Sequence, residues 1–138
     1  MVENQVGLVL IQGPEALLAD RVITNVSSRF PNAQISNLHA DELEVGVITD
    51  SLAPSLFGDQ RIVVIRDTQD LTAECADEVL AYLEDEDSNL LLVLWHKGGV
   101  KGKALVDKIK KAKAELITAE VIKKIVKSLT LFEMSLSD

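Results

Sequence analysis

Hydrophobic positions along this chain follow two alternating patterns: short continuous apolar runs, and longer segments with helical spacing. The apolar runs predict strands over residues 7–12, 34–39, 61–66, 89–95 and 114–118. The helical spacing predicts helices over about residues 14–30, 44–53, 72–83 and 103–112. Strands that alternate with helices in this way predict an α/β domain with a five-stranded, mostly parallel sheet covered by helices on both faces.

Helix ends and helix faces can also be read from the sequence. Pro31 and Pro54 end the first two helices, and Thr72 is placed to cap the third. The predicted apolar face of the first helix consists of Leu17, Leu18, Val22, Val26 and Phe30. Residues 119–138 also have helical spacing, so we divide the chain into a domain over 1–118 and a helical tail that begins a second domain.

Composition supports a globular domain in a reducing compartment. The chain has 138 residues, of which 47% are hydrophobic, enough to form one domain with a core. Its one cysteine, Cys75, cannot form an internal disulfide, and we interpret it as a small core residue. No signal peptide or membrane span is predicted, and we therefore expect a cytoplasmic protein.

Charge is distributed unevenly. The formal net charge is −8, which argues against general nucleic-acid binding by the whole surface. Residues 1–95 contain 4 basic and 17 acidic side chains, whereas residues 97–113 contain seven lysines and one acid. The sequence therefore predicts one local basic patch on an acidic body.

The first strand and helix lack the chemistry of a nucleoside triphosphatase. A phosphate-binding loop would follow the strand at Gly13, and it needs a second glycine, a lysine and a magnesium-binding hydroxyl. Counted from Gly13, those positions hold Leu18, Ala19 and Asp20, and an aspartate there would repel phosphate. We expect no nucleotide hydrolysis here.

A second glycine-rich segment, 98–104, also follows a strand and opens a helix. Its spacing is one residue short, and Ala104 stands where a hydroxyl is required. The lysines Lys97, Lys101 and Lys103 could hold a phosphate group or DNA at the start of the helix, or simply form a solvated face. Neither His39 nor His96 has metal ligands at suitable spacing, so we predict no metal site and no catalytic group.

An apolar pair, Leu56 and Phe57, precedes Gly58 in the loop before the third strand. A loop is an unfavourable place for two large apolar side chains. Either the pair packs beneath the sheet as part of the core, or a partner protein buries it as an anchor.

Three segments together resemble the N-terminal domain of the bacterial DNA polymerase III delta subunit. They are GPEALL from Gly13, SLFGDQRIVVIR from Ser55, and LLLVLWHKGGVKGKAL from Leu90. The resemblance covers about residues 6–118. It implies a three-layer domain like the P-loop AAA+ proteins, with a degenerate nucleotide site. Members of this family also carry a helical lid and a collar, so the tail 119–138 would be the truncated start of the lid, although its sequence departs from the family pattern after about residue 123.

The resemblance implies a non-catalytic domain of the clamp loader that binds the sliding clamp (the beta subunit) and helps to open it during DNA replication. Ser55, Leu56 and Phe57 match the clamp-binding element, whereas Pro54 stands where an apolar residue often precedes it. The chain would belong to the DNA polymerase III holoenzyme, a DNA-directed DNA polymerase and nucleotidyltransferase. No cofactor and no membrane contact are implied. Other clamp-loader subunits would bind mainly through domains that this chain lacks, and DNA only indirectly or weakly.

Two other functions remain open on the sequence. One is a regulatory domain of the same broad fold that binds a nucleotide. The other is DNA binding through the basic patch, which consists of Lys97, Lys101, Lys103, Lys108, Lys110, Lys111 and Lys113.

Overall fold

The computed structural model of this protein describes residues 7–112 and the backbone of residues 115–118. The strands and helices in this part of the chain are β1 (Gly7–Gln12), α1 (Ala16–Ser27), β2 (Gln34–His39), α2 (Val47–Leu52), β3 (Arg61–Arg66), α3 (Ala73–Leu83), β4 (Leu90–His96), α4 (Lys103–Lys111) and β5 (Glu115–Thr118). Two 3-10 turns, Ala40–Glu42 and Thr68–Asp70, complete the order. The predicted helical tail and its assignment to a lid lie outside the described residues.

The strands form one sheet in the order β2-β3-β4-β1-β5, and every pairing is parallel. The strands therefore all start at one edge of the sheet, which we call the amino edge, and end at the other, the carboxyl edge. Strand β4 runs one residue further than predicted because His96 pairs with Gln12 of β1. The α/β class and the parallel sheet are confirmed.

Helices cover both faces of the sheet, giving three layers. On one face, Leu8 and Leu10 of β1 pack with the buried residues of α2, α3 and α4. On the other face, Val9 and Ile11 pack against α1. The central strands are apolar between their end residues because both of their faces are buried.

Three local predictions needed correction. The buried face of α1 consists of Ala19, Val22, Ile23 and Val26, whereas Leu17 is 66% exposed. The helix ends at Ser27, and Phe30 then packs against the core from a turn. Helix α2 is shorter than predicted because Gly46, with φ +97°, is its N-cap and the helix begins at Val47.

Helix α3 begins as the sequence predicts. The Thr72 hydroxyl accepts a hydrogen bond from the Cys75 N–H at 3.2 Å, which satisfies one free donor of the first turn. Cys75 is buried in the core, as expected. Among the described residues, no helix combines the length and the apolar character needed to cross a bilayer.

Candidate protein interface

Leu56 and Phe57 form an exposed apolar tip at the amino edge of the sheet. The tip, which we define as Ser55, Leu56 and Phe57, lies in the loop between α2 and β3. Leu56 is 97% exposed and Phe57 is 86% exposed. Of the two interpretations that the sequence left open, packing beneath the sheet is therefore wrong for this structure.

A compact turn holds the two side chains outward. The Ser55 hydroxyl accepts a hydrogen bond from the Phe57 N–H at 3.2 Å, and the Ser55 carbonyl oxygen accepts one from the Gly58 N–H at 3.3 Å. Gly58 has φ +67°, a left-handed conformation that favours glycine. The serine and the glycine on either side of the pair thus define its backbone conformation.

The start of α2 is attached to α3 by one carboxylate. Glu78 accepts hydrogen bonds from the Gly46 N–H at 3.0 Å, the Thr49 N–H at 2.9 Å and the Thr49 hydroxyl at 2.6 Å. These bonds, the one from Gly46 above all, lower the pKa of Glu78 because they favour its charged form. An anion here also suits the positive end of the α2 dipole.

The end of α2 is attached through Arg61. One nitrogen of its guanidinium, Nη1, donates to the Ser51 carbonyl oxygen at 3.0 Å, and the other, Nη2, lies 3.4 Å from Oδ2 of Asp87. Asp87 in turn accepts from the Asn89 N–H at 2.9 Å, and its own N–H donates to the Tyr82 hydroxyl at 3.1 Å. Burial raises the pKa of Tyr82 to about 12.

An open groove of about 430 Å³ lies between these two attachments, next to the tip. Leu52, Pro54 and Tyr82 contribute to its apolar lining, and Asp85 and Glu86 to its acidic rim. Burial raises the pKa of Glu86 because it disfavours the charged carboxylate. Pro54, the residue directly before the tip, therefore borders a concave surface.

At the carboxyl edge, where a phosphate-binding loop would lie, hydrogen bonds join Gly13 to the end of β4. The Gly13 N–H donates to the His96 carbonyl oxygen at 3.0 Å, and the Trp95 indole N–H donates to the Gly13 carbonyl oxygen at 2.8 Å. In α1, Ala19 is buried and Asp20 forms an ion pair of 2.7 Å with Arg66. The positions at which a nucleotide site needs lysine and a hydroxyl thus have structural roles here.

His96 organises the glycine-rich loop that follows β4. Its side chain is buried, and its Nδ1 accepts a hydrogen bond from the Gly98 N–H at 2.9 Å. Nδ1 is therefore unprotonated, so Nε2 carries the proton and donates to the Lys101 carbonyl oxygen at 2.7 Å. The only sequence signal for this role is a histidine two residues before the pair Gly98 and Gly99.

Two of the three lysines predicted to contact phosphate or DNA are engaged within the chain. Lys97 forms an ion pair of 3.1 Å with Asp67 and lies 5.4 Å from the centre of the Trp95 ring. Lys101 lies 2.9 Å from Asp70. Lys103 is exposed at the first position of α4. Within the part of the chain that the structure describes, no cluster of three His, Cys, Asp or Glu residues could hold a metal ion.

The sequence also matches a known protein family. The family model described as DNA polymerase III, delta subunit, matches residues 13–120, which include the apolar tip and Arg61. This chain belongs to the DNA polymerase III delta subunit family. The resemblance carried by the tip, the strand after it and the glycine-rich loop is confirmed. No curated protein matches the chain.

Solved structures show the same fold at low sequence identity. The DNA clamp loader delta protein (YqeN) of Bacillus subtilis has 15% identity and a TM-score of 0.64, over 83% of this chain and 38% of its own. A gamma subunit-related DNA polymerase III protein of Thermotoga maritima has 17% identity and a TM-score of 0.58, over 82% and 41%. The RuvB Holliday junction branch migration motor of the same organism has 15% and 0.64, over 82% and 37%. This delta-family chain thus spans well under half the length of each.

The structure separates the two groups of predicted site residues. Ser55, Leu56 and Phe57 lie at the amino edge, whereas Lys97, Lys101 and Lys103 lie at the carboxyl edge, so they do not form one site. Sequence reasoning missed the residues that attach α2 before the tip, namely Glu78, Arg61 and Asp87. The available signals were an arginine at the start of β3 and the acidic residues of α3 and the loop after it.

Proposed function

We propose that this chain is the clamp-binding domain of a clamp-loader subunit, in which Leu56 and Phe57 insert into an apolar pocket of the sliding clamp. The observation that carries the proposal is the exposure of both side chains on a hydrogen-bonded turn. Large exposed apolar side chains of this kind are typical anchors of protein interfaces. Membership of the delta family supports a place in DNA replication.

Burial of a leucine and a phenylalanine in the clamp pocket would contribute most of the free energy of binding. It gives about 3–6 kcal/mol of gross stabilisation, from which the cost of ordering is subtracted. If the open ring binds the tip more tightly than the closed ring, binding shifts the clamp towards the open state. The role requires no bond chemistry, and we expect the chain to be non-catalytic by itself within the polymerase holoenzyme.

We favour clamp binding over the two alternatives on specific contacts. Against nucleotide binding, Ala19 is buried and Asp20 is paired with Arg66, which supports a site that has lost this activity. Against DNA binding, Lys97 and Lys101 are already paired with carboxylates. We expect no cofactor, a cytoplasmic location, and assembly with other clamp-loader subunits.

The test is the affinity of this chain for the sliding clamp of the same organism, measured by surface plasmon resonance. We expect Leu56→Ala/Phe57→Ala to weaken binding by at least about 100-fold, because it removes both anchors. The matched control is Leu17→Ala/Val100→Ala, which removes two other exposed apolar side chains and leaves the affinity unchanged. Circular dichroism would verify that both variants are folded.

Two results would contradict the proposal. The first is an absence of wild-type binding well into the micromolar range. The second is an equal loss of affinity in both double variants, which would indicate non-specific apolar contact rather than a site at the tip.

A further inference from the structure

We infer that Arg61 is a positioning residue, which holds the apolar tip in the conformation that binds the partner. The inference rests on the proposed function of the tip and extends it to a residue that does not contact the partner. It also accounts for the arginine that follows the Leu-Phe-Gly segment, which clamp binding alone leaves unexplained.

Arg61 fixes both ends of the loop that carries the tip. Its backbone belongs to the sheet, because its N–H donates to the Asn89 carbonyl oxygen at 2.9 Å and it pairs with Gln34 and Leu90. Its side chain reaches back to the Ser51 carbonyl oxygen near the end of α2, at 3.0 Å. One residue therefore joins the end of the loop to its beginning.

Asp87 holds the guanidinium in this position. The side chains of Arg61 and Asp87 are 17% and 14% exposed, so solvent and salt screen their attraction less than at the open surface. The planar guanidinium reaches Ser51 and Asp87 with two different nitrogens. A lysine has a single ammonium group and cannot reproduce this fork.

Helix α2 depends on such contacts because it is short. Six residues make less than two turns, and a helix of this length is not stable on its own in water. Glu78 holds its start and Arg61 holds its end, with the groove between the two attachments. Without Arg61, we expect the residues between Ser51 and Gly58 to sample many conformations, so that the partner must order them on binding.

The first test compares clamp affinity between Arg61 variants and a variant destabilised elsewhere in the fold. We expect Arg61→Met to weaken clamp binding about tenfold and Arg61→Lys to weaken it less. The control is Val106→Ala in the buried face of α4, which lowers the melting temperature but leaves the affinity unchanged. If Arg61→Met loses no more affinity than this control, Arg61 is merely structural and the inference is wrong.

The second test measures the backbone order of the tip in the free chain, without the clamp. We expect the backbone ¹⁵N order parameters of residues 53–58 to fall in Arg61→Met from about 0.85 towards about 0.6, and to be preserved in Val106→Ala. Unchanged order parameters would overturn the inference whether or not the clamp binds. Failure of the wild-type chain to bind the clamp, with reduced order in Arg61→Met, would instead overturn the proposed function alone.

Asp87→Asn provides a second variant that retains the shape of the side chain, in case Arg61→Met does not fold. It removes the charge that holds the guanidinium but keeps the Arg61 bond to Ser51 available. We expect changes in the same direction as for Arg61→Met, but smaller. An Asp87→Asn variant with wild-type affinity and wild-type order at the tip would exclude the ion pair from the positioning role.

Discussion

The two edges of the sheet use their charged side chains in opposite ways. At the carboxyl edge, Lys97 and Lys101 pair with nearby carboxylates, and the loops bond to one another. At the amino edge, Arg61 and Glu78 hold a loop whose apolar side chains remain exposed. Open α/β sheets usually bind their ligands at the carboxyl ends of the strands. In this domain the loops at that edge contact one another, and the exposed apolar tip lies at the opposite edge.

The largest expected difference between the two edges is in the free energy of unfolding of two glycine variants, one at each edge. Gly102→Ala places a Cβ 3.0 Å from the Gln69 Cα at a φ of +77°, and we expect it to destabilise the fold by about 2–3 kcal/mol. At Gly58 the space around a Cβ is open, so Gly58→Ala should cost only about 1 kcal/mol, from its φ of +67°. Urea denaturation measures both.

The loss of clamp affinity should be larger for Gly58→Ala than for Gly102→Ala, which is the reverse of their ranking by loss of stability. We expect Gly58→Ala to weaken clamp binding several-fold because it strains the turn of the tip, whereas Gly102→Ala should bind like the wild type while folded. If Gly102→Ala weakened binding more than Gly58→Ala, the two edges would not be independent of one another.

A smaller effect should follow from the Glu78 carboxylate, and it should depend on pH. The pKa of Glu78 is lowered below its ordinary value of 4.5 in the folded chain, so its contribution to stability is present above that value and is lost as the pH falls through the folded pKa. We expect Glu78→Gln to lower the melting temperature at about pH 7, and the difference from wild type to narrow towards about pH 3. A difference that does not change with pH would show that the charge of Glu78 is not what stabilises α2.

The smallest expected effect is that of nucleotide at the carboxyl edge, where we expect no change in stability. We expect ATP with magnesium to leave the melting temperature unchanged, because Leu18, Ala19 and Asp20 provide neither a phosphate-binding lysine nor a hydroxyl for the metal. Differential scanning fluorimetry at millimolar nucleotide would measure it. A rise that saturates with ATP concentration would show that this edge still binds nucleotide.

The sequence predicted the sheet well because its central strands are buried on both faces. Strand β3 between its terminal arginines and strand β4 before His96 are continuous apolar runs, which are typical of such burial. Helix α2 was less well predicted because its short length depends on Gly46 and on contacts with α3. Its two attachments join residues that are far apart in the chain, so local patterns do not reveal them.

The exposure of the tip could not be predicted from the residues alone. Two apolar side chains in a loop fit a buried position as well as an exposed one, and the choice depends on where α2 lies relative to β3. The ion pairs of the lysines could not be predicted from local sequence either. Lys97 and Asp67 are distant in sequence, yet their ion pair forms because β3 and β4 are neighbours in the sheet.

The buried thiol of Cys75 gives this domain an internal reporter of its own opening. The chain has one cysteine, and it is covered by the core on the inner face of α3. A thiol reagent can reach it only when α3 separates from the sheet, so the labelling rate in excess reagent measures how often that separation occurs. Because α3 also carries Glu78, the same rate would show whether docking of the tip on its partner suppresses that motion.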